Sequence, residues 1–477
     1  MTLWTAKDAA AATGGVVARD WQASGVSIDT RTLKPGDLFV ALKDIRDGHE
    51  FVAQALEKGA AAALVSQVPD GVPADKLLIV DEVLPALECL GVAARARTRA
   101  KVIGVTGSVG KTSTKEMLRA VLNRQGTVHA AEASYNNHWG VPLTLARMPV
   151  DCDFAVIEIG MNHPGEIAPL ARMAQLDLAM ITTVAAAHLE AFENLDGIAH
   201  EKAAIFQGLV AEGVALVPGD LDVSDILMNA AQATAAVTKT FGAAGQDYAL
   251  DELHLTDDAT IARAQINGVD VMFKLSIAGR HFATNAVAVL GAVDMLGADI
   301  ALAAQDLSLW VPPAGRGTRE RRVLDQFAPE MSFDLIDDAF NANPTSMAAA
   351  LEVLAASAPR DGIGRIHRGR RIAILGDMLE LGPDEQELHR EIAQYPGLND
   401  LSVVQCVGAR MRGLYQEISE EKQGLWCETA GELTAQTHDL IDAGDVVLVK
   451  GSKGSKVSLV VDALRKLSHP ISNEDEG

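Results

Sequence analysis

Aromatic side chains are scarce in this chain of 477 residues, where Phe, Trp and Tyr together make up 4%. Its cores must therefore be built mostly from small aliphatic side chains. Cysteine is scarcer still: Cys89, Cys152, Cys406 and Cys427 stand apart, with no CxxC pair and no Cys/His cluster. That spacing excludes a disulfide framework and a structural zinc site, and it fits a reducing compartment. No uninterrupted apolar run reaches the ~18 residues of a membrane-spanning helix. The stretch Met1–Gly15 carries Lys7 and Asp8 where a signal peptide would be apolar. A soluble, cytoplasmic protein without membrane insertion is expected. Positive charge is short as well, with 41 Lys and Arg against 64 Asp and Glu, a net charge of −23. Such a field repels a polyphosphate backbone and argues against nucleic acid as the main partner. A small anionic ligand is still compatible with it, because a local nest of backbone N–H groups overrides the global field.

What is present is an ordinary globular balance, 48% hydrophobic and 22% charged. The chain is too long for one core and about right for three, at ~150 residues each. The apolar runs fall into three α/β blocks. Residues 1–99 hold strand-like Asp37–Leu42 and Ala62–Val65, a helical stretch from Phe51 to Gly59, and an Ala/Arg-rich helix over Leu84–Thr98. Residues 100–312 open on the buried-strand pattern Lys101–Thr106, followed by Phe154–Ile159, Ala179–Val184 and Val214–Val217 with helical segments between them. That alternation predicts a mostly parallel sheet wrapped by helices, and the shorter alternating runs of 222–278 predict an antiparallel edge to it. Pro312-Pro313 and Gly315-Arg316-Gly317 mark the next boundary. Residues 313–477 repeat the pattern as a second open sheet, through Phe333–Ile336, Ile372–Leu375, Ser402–Val407 and Val446–Val449. The basic segment Gly364–Arg371 reads as a solvated loop, and the polar tail from Ser472 as a frayed end.

The strongest chemical signal is Gly104-Val-Thr-Gly-Ser-Val-Gly-Lys-Thr112, a strand running through a glycine loop into a helix. Small residues there let Thr106, Gly107, Ser108, Val109, Gly110 and Ser113 present backbone N–H groups to phosphates, with the helix N-terminus adding partial positive charge. Lys111 would reach the outer phosphates, and the Thr112 hydroxyl would ligate Mg²⁺. The strict pattern places Gly six residues before the Lys, and Val105 stands there instead. The next apolar strand delivers Glu158 from an apolar setting, a costly placement that a Mg²⁺ partner would explain. The third ends near His188, with Lys202 on a following helix. A histidine alone is more often packed than ligating, but the carboxyl ends of parallel strands are where such sites gather. In the last block, Asp337-Asp338, Gly376-Asp377 and Lys450-Gly-Ser452 close three strands with polar groups, as a second wall of the same site would.

Together these residues closely resemble the Mur ligase family, ATP-dependent amide-forming enzymes of peptidoglycan synthesis, along the whole chain. Thr106–Thr112 matches that family's form of the phosphate loop, which accounts for the missing first Gly. Ile157-Glu-Ile-Gly-Met-Asn-His-Pro-Gly-Glu166 and Ala185-Ala-Ala-His-Leu-Glu190 resemble its two magnesium segments. Asp337-Asp-Ala-Phe-Asn-Ala-Asn-Pro-Thr-Ser-Met347, Leu375-Gly-Asp-Met-Leu-Glu-Leu-Gly382 and Ser134-Tyr-Asn-Asn-His-Trp-Gly-Val-Pro142 resemble the members that join D-alanyl-D-alanine to UDP-N-acetylmuramoyl-tripeptide. The resemblance implies a small N-terminal α/β domain for the uridine substrate, a central P-loop domain and a C-terminal Rossmann-like domain. It implies ATP and two Mg²⁺ ions, held or bridged by Thr112, Glu158, His188 and Lys202, with Lys202 in a position that several members carry as a carbamate. Lys111, Glu158, His188 and Lys202 are then the catalytic set. Asn285 would contact adenine, and Arg316 and Asp338 the nucleotide. Ser27, Asp29, Thr30, Arg31, Asp47 and His49 would hold the uridine end. Asn136, Asn137, Asn162 and His163 would face the muramoyl peptide, and Asn341 and Asn343 the dipeptide or ATP. A monomer is expected. Two departures stand out: Ala339-Phe340 replaces the more usual Ser-Tyr, and Asp44 sits where Gly is common. Rival readings are a folylpolyglutamate synthetase-like ligase, a P-loop kinase or nucleotide switch, and a scaffold with a vestigial loop.

Overall fold

The computed structural model describes residues 2–187, 189–243 and 246–470. Three α/β sheets follow one another along the chain, alongside a short pairing of Trp4–Thr5 with Gln22–Ala23. The first is built from β1 (Val16–Val17), β2 (Gly25–Ser27), β3 (Asp37–Val40), β4 (Ala62–Val65) and β5 (Leu77–Ile79), in the order β1-β5-β4-β3-β2. It is parallel except for the β1–β5 pair. Helix α1 (Val83–Arg97) leaves this unit and packs Leu87, Leu90 and Ala94 against Leu143 and Ala146 of the next one. The two units thus share a core. Their seam is tied by the Trp4 indole, which donates to the Ala146 carbonyl at 2.9 Å, and by Arg147, which donates to the Val26 carbonyl at 2.6 Å.

The central sheet has nine strands. In chain order they are β6 (Lys101–Thr106), β7 (Val128–Ala130), β8 (Phe154–Glu158), β9 (Leu176–Ile181), β10 (Leu209–Pro218), β11 (Val237–Ala243), β12 (Tyr248–Leu255), β13 (Thr260–Ile266) and β14 (Val269–Leu275). Their spatial order is β14-β13-β12-β11-β10-β9-β6-β8-β7. Pairing is parallel from β7 to β12 and antiparallel for the last two pairs, so the antiparallel edge expected from 222–278 is there. Apolar strands such as β6, buried from Val102 onward, need helices on both faces. Helices α2 (Lys111–Leu122) and α5 (Arg280–Met295) cover one face, and α3 (Gly140–Ala146) and α4 (Leu195–Ala203) lie with the core of the other. Because β6 lies between β8 and β9, the chain reverses direction across the sheet there, which opens a crevice at the carboxyl ends of these strands.

The third sheet is β15 (Thr318–Val323), β16 (Ser332–Asp338), β17 (Arg371–Gly376), β18 (Val403–Val407), β19 (Gln423–Cys427), β20 (Val446–Lys450) and β21 (His469–Pro470), ordered β19-β18-β17-β20-β16-β15-β21. Its β15 and β21 are antiparallel. Helix α6 (Pro344–Ala356) starts with Asn343 as cap, the Asn343 carboxamide accepting from the Ser346 N–H at 2.9 Å, with Pro344 pre-set for the first turn. The segment from Gly364 up to β17 is the largely exposed loop expected, anchored where Arg370 pairs with the buried Asp445 at 2.6 Å and Arg365 reaches Asp442. The tail from Ser472 lies outside the described residues. Across the seam with the central unit, Arg319 of β15 bridges Asp257 at 2.9 Å and Asp334 at 2.6 Å. Among the described residues no helix is long and apolar enough to cross a membrane.

Candidate active site

A cavity of about 580 Å³ opens where the carboxyl ends of the central strands face the third unit. Its floor is the loop between β6 and α2. Gly107 sits at φ +151° and Gly110 at φ +88°, and a Cβ on Gly107 would fall 1.9 Å from the Thr182 hydroxyl, so only glycine fits. The loop is held from β9: the Ser108 N–H donates to the Thr183 carbonyl at 2.8 Å and the Thr182 hydroxyl to the Val109 carbonyl at 2.5 Å. Lys111 Nζ donates to the Gly107 carbonyl at 2.6 Å, curling over the loop as a phosphate-binding lysine would. Burial pushes its ammonium below the usual lysine range, and Glu158 opposes that.

Glu158 ends β8 at 2% exposure. Its Oε1 accepts from the Thr112 hydroxyl at 3.1 Å and from Asn136 Nδ2 at 2.7 Å, while the buried Oε2 has no partner. A carboxylate oxygen buried without a donor is a strong sign of a missing cation. Carboxylate and hydroxyl are the hard donors that Mg²⁺ takes, so Glu158 and Thr112 fit that ion. Among the described residues no group of three or more His, Cys, Asp or Glu converges, so phosphate oxygens and water would complete the shell. Lys202, on α4, is 2% exposed and, among the described residues, its ammonium finds only the Met161 sulfur at 4.0 Å. Burial, with Lys111 nearby, holds it well below the usual lysine range. His188 lies outside the described residues.

The far wall comes from the third unit. Arg316 donates to the Ser134 hydroxyl at 3.1 Å, across the seam, and its guanidinium lies 4.0 Å over the Phe340 ring. Phe340 therefore supplies a face where its hydroxyl-bearing counterpart would add a polar tip. Asp338 lines the cavity and accepts from the buried Lys450 at 2.7 Å; burial raises its carboxyl and Lys450 opposes the rise. Asn341 and Asn343 line the same wall, and Asn285 sits beside Gly110.

The structure therefore brings Ser108–Ser113, Asn136, Asn137, Glu158, Asn162, Asn285, Arg316, Asp338, Asn341 and Asn343 to one cavity. Thr106 and Gly107 lie beneath it. Lys202 is buried behind Met161, and His163 is an exposed neighbour of Glu166, 3.3 Å away. Asp47 and His49 line a separate cavity of about 330 Å³ in the first unit, with Lys43 and Ser66. Ser27, Asp29, Thr30 and Arg31 line neither of the two. Asp377, expected at the second wall, turns away: it accepts from the Met411 N–H at 2.9 Å and faces Arg410.

Sequence reasoning missed Ser134, Thr182 and His281 as site residues, while Lys450, read as part of a second wall, does line the cavity. Lys450 was visible as a strand-end polar group, but its meaning depends on the β16–β20 register, which sets it opposite Asp338. His281 faces the cavity with a buried, unpartnered Nδ1, and burial lowers its imidazole to about 4. An orphaned ring nitrogen leaves no trace in sequence.

Three α/β units with a phosphate-type loop at the central crevice define a multidomain nucleotide-binding protein. Family models agree with it: Mur ligase family, catalytic domain over residues 22–97, Mur ligase middle domain over 105–293, and Mur ligase, glutamate ligase domain over 325–453. The UDP-N-acetylmuramoyl-tripeptide–D-alanyl-D-alanine ligase of Rickettsia prowazekii is 32% identical over 96% of this chain and 99% of its own. The Bacillus subtilis ligase of the same name is 34% identical over 94% of each chain. A crystal structure of MurF from Acinetobacter baumannii superposes with a TM-score of 0.82 at 28% identity, covering 97% of this chain and 99% of that one. MurF from Thermotoga maritima in complex with ADP gives 0.75 at 26% identity, covering 93% and 97%. The chain belongs to the Mur ligase family.

Proposed function

We propose that this enzyme joins D-alanyl-D-alanine to UDP-N-acetylmuramoyl-tripeptide at the expense of ATP, giving the UDP-muramoyl-pentapeptide precursor of peptidoglycan, ADP and phosphate. The observation that carries this reading is the cavity itself. One wall is a nucleotide loop with a buried, half-satisfied carboxylate, and the other is the Asn341–Asn343 segment capping α6. The whole-chain identity to ligases of that name supports the choice of substrates.

A carboxylate is a poor electrophile, so it must first be activated. A terminal carboxylate oxygen of the tripeptide attacks the γ-phosphorus of ATP, the bond to ADP breaks, and an acyl phosphate forms. The dipeptide amine, after losing a proton, attacks the carbonyl carbon. The tetrahedral adduct collapses as the bond to phosphate breaks. Lys111 and Arg316 bring positive charge to a cavity where two anionic reactants must approach, and the N-terminus of α2 adds backbone donors to the phosphates. Mg²⁺, held at Thr112 and Glu158, would screen the phosphate charge when bound. Two such ions, with His188 as a further ligand, extend this reading. Burial disfavours the Lys202 ammonium and so favours the free amine, the form that attacks CO₂: an N–C bond forms, a proton leaves the nitrogen, and a carbamate anion replaces a cation. Asn285 takes the adenine side and Asp338 the rest of the nucleoside. Asn136, Asn137, Asn162 and His163 take the muramoyl peptide. The units 1–99, 100–312 and 313–477 divide the work as uridine end, nucleotide and acceptor, with Ser27–Arg31, Asp47 and His49 serving the first. The enzyme acts as a cytoplasmic monomer, and closure of the third unit over the cavity excludes the water that would hydrolyse an acyl phosphate.

The test is phosphate release from Mg-ATP with the UDP-muramoyl tripeptide, comparing D-alanyl-D-alanine, glutamate and no acceptor. Release should require both the tripeptide and the dipeptide. Release that ignores every acceptor would favour a kinase or switch and sink the ligase reading.

A further inference from the structure

One turn beyond Lys111 and Thr112 on α2, Lys115 is fully buried at 0% exposure. Its ammonium donates to the Ala131 carbonyl at 2.7 Å, lies 3.4 Å from the Ala133 carbonyl, and pairs with Glu116 at 2.9 Å. A buried ammonium is tolerated when its three protons are matched by acceptors, as here. An apolar side chain would fill the same space without that requirement, so the placement of the acceptors carries the meaning. Ala131 and Ala133 frame a segment that leads directly to the cavity. The Ser134 hydroxyl lies 3.1 Å from that of Thr112 and accepts from Arg316. Asn136 donates to Glu158 Oε1 and its carbonyl accepts from the Gly160 N–H at 2.8 Å. The backbone of the loop before Lys111, by contrast, is held through Thr182 and Thr183, just after β9, while this segment meets the nucleotide site at the side chains of Thr112, Glu158 and Arg316.

We propose that Lys115 is a positioning residue: it fixes the 131–137 segment to the nucleotide helix, so that Ser134 and Asn136 meet Thr112 and Glu158 in one register. It thereby sets affinity for the UDP-muramoyl peptide and leaves affinity for the nucleotide alone. This rests on the proposed function, since it takes that peptide as the ligand of Asn136 and Asn137.

The experiment is calorimetric titration of UDP-N-acetylmuramoyl-tripeptide into the full-length enzyme holding Mg²⁺ and a non-hydrolysable ATP analogue, for the wild type and Lys115→Met. Without dipeptide there is no turnover to confuse the reading. Wild-type protein should bind the tripeptide; no binding would overturn the function and this role with it. In K115M the tripeptide Kd should rise at least tenfold while the analogue's Kd stays within threefold. Parallel loss of both ligands means a merely structural lysine, and loss of neither means an idle one; each overturns the assignment. The double variant K115M/E116Q removes both charges of the Lys115–Glu116 pair and serves if K115M does not fold. It should regain the wild-type melting temperature without regaining tripeptide affinity, and recovery of both would equally refute the role.

Discussion

Polar side chains at the central crevice and polar side chains in the first unit were singled out by the same sequence logic, yet the structure treats them differently. At the crevice, among the described residues, Glu158 Oε2 has no partner, Lys202 meets only a thioether, and Lys111 has just a loop carbonyl. In the first unit, Asp29 is taken up by Arg31, whose guanidinium holds that carboxyl below the usual range. His49 is bound on both ring nitrogens, by Asp47 at 2.6 Å and by the Ser66 N–H at 3.0 Å. Unsatisfied valence in a buried setting costs stability and persists where a ligand completes it. Satisfied polar groups hold a fold together and frame a site. The crevice is built to receive, and the first unit is largely built to stand.

The largest effect should follow from Lys111→Ala. Ligase activity should fall by on the order of 10³-fold, the scale for removing a preorganised charge from a transition state, with the melting temperature unchanged. Normal turnover would remove the phosphate-loop assignment.

Lys202 sharpens the comparison because function and stability should move in opposite directions. Lys202→Ala should abolish synthesis, and added bicarbonate should not restore it. Lys202→Met, in bicarbonate-free buffer, should be more stable than wild type by roughly 1–2 kcal/mol. The sign follows from linkage. The native amine sits well below the ordinary lysine value of 10.5, so the unfolded chain binds more protons in the interval between the two values. Stability of the wild type should therefore rise with pH across that interval and be flat in the variant. Bicarbonate should stabilise wild type alone; equal stabilisation of K202M would contradict a carbamate at this position.

His49→Ala probes the other side. It strands the Ser66 N–H and should lower stability by about 1–3 kcal/mol, with kcat within about twofold. An unchanged melting temperature would break the distinction between the two regions, and a KM for the UDP-tripeptide that stays at the wild-type value would remove His49 from the uridine end.

The smallest effect belongs to Phe340→Tyr. The ring face already covers Arg316, so activity should stay within about threefold of wild type. A gain well beyond that, in steady-state rates with all three substrates, would show that the lost hydroxyl mattered.

Much of this architecture was legible because its signals are local. An apolar strand running into Gly107–Gly110 and then Lys111 announces a strand, a loop and a helix N-terminus together. Glu158 was visible as a charge out of place in an apolar strand. The sequence could not show which neighbours such residues meet. Asp377 read like Asp338, two aspartates at strand ends, yet one caps the Met411 N–H and the other faces the cavity opposite Lys450. Lys115 resembled any other lysine on a polar helix face until its burial against two loop carbonyls was seen. Strand register and loop packing are non-local, and no spacing along the chain encodes them.

The central claim is that the crevice activates a carboxylate by phosphoryl transfer. It is tested most directly by labelling the terminal carboxylate of the UDP-muramoyl tripeptide with heavy oxygen and weighing the phosphate released during synthesis. One labelled oxygen carried into each phosphate is the result an acyl phosphate demands. Phosphate without label, alongside normal amide formation, would contradict it.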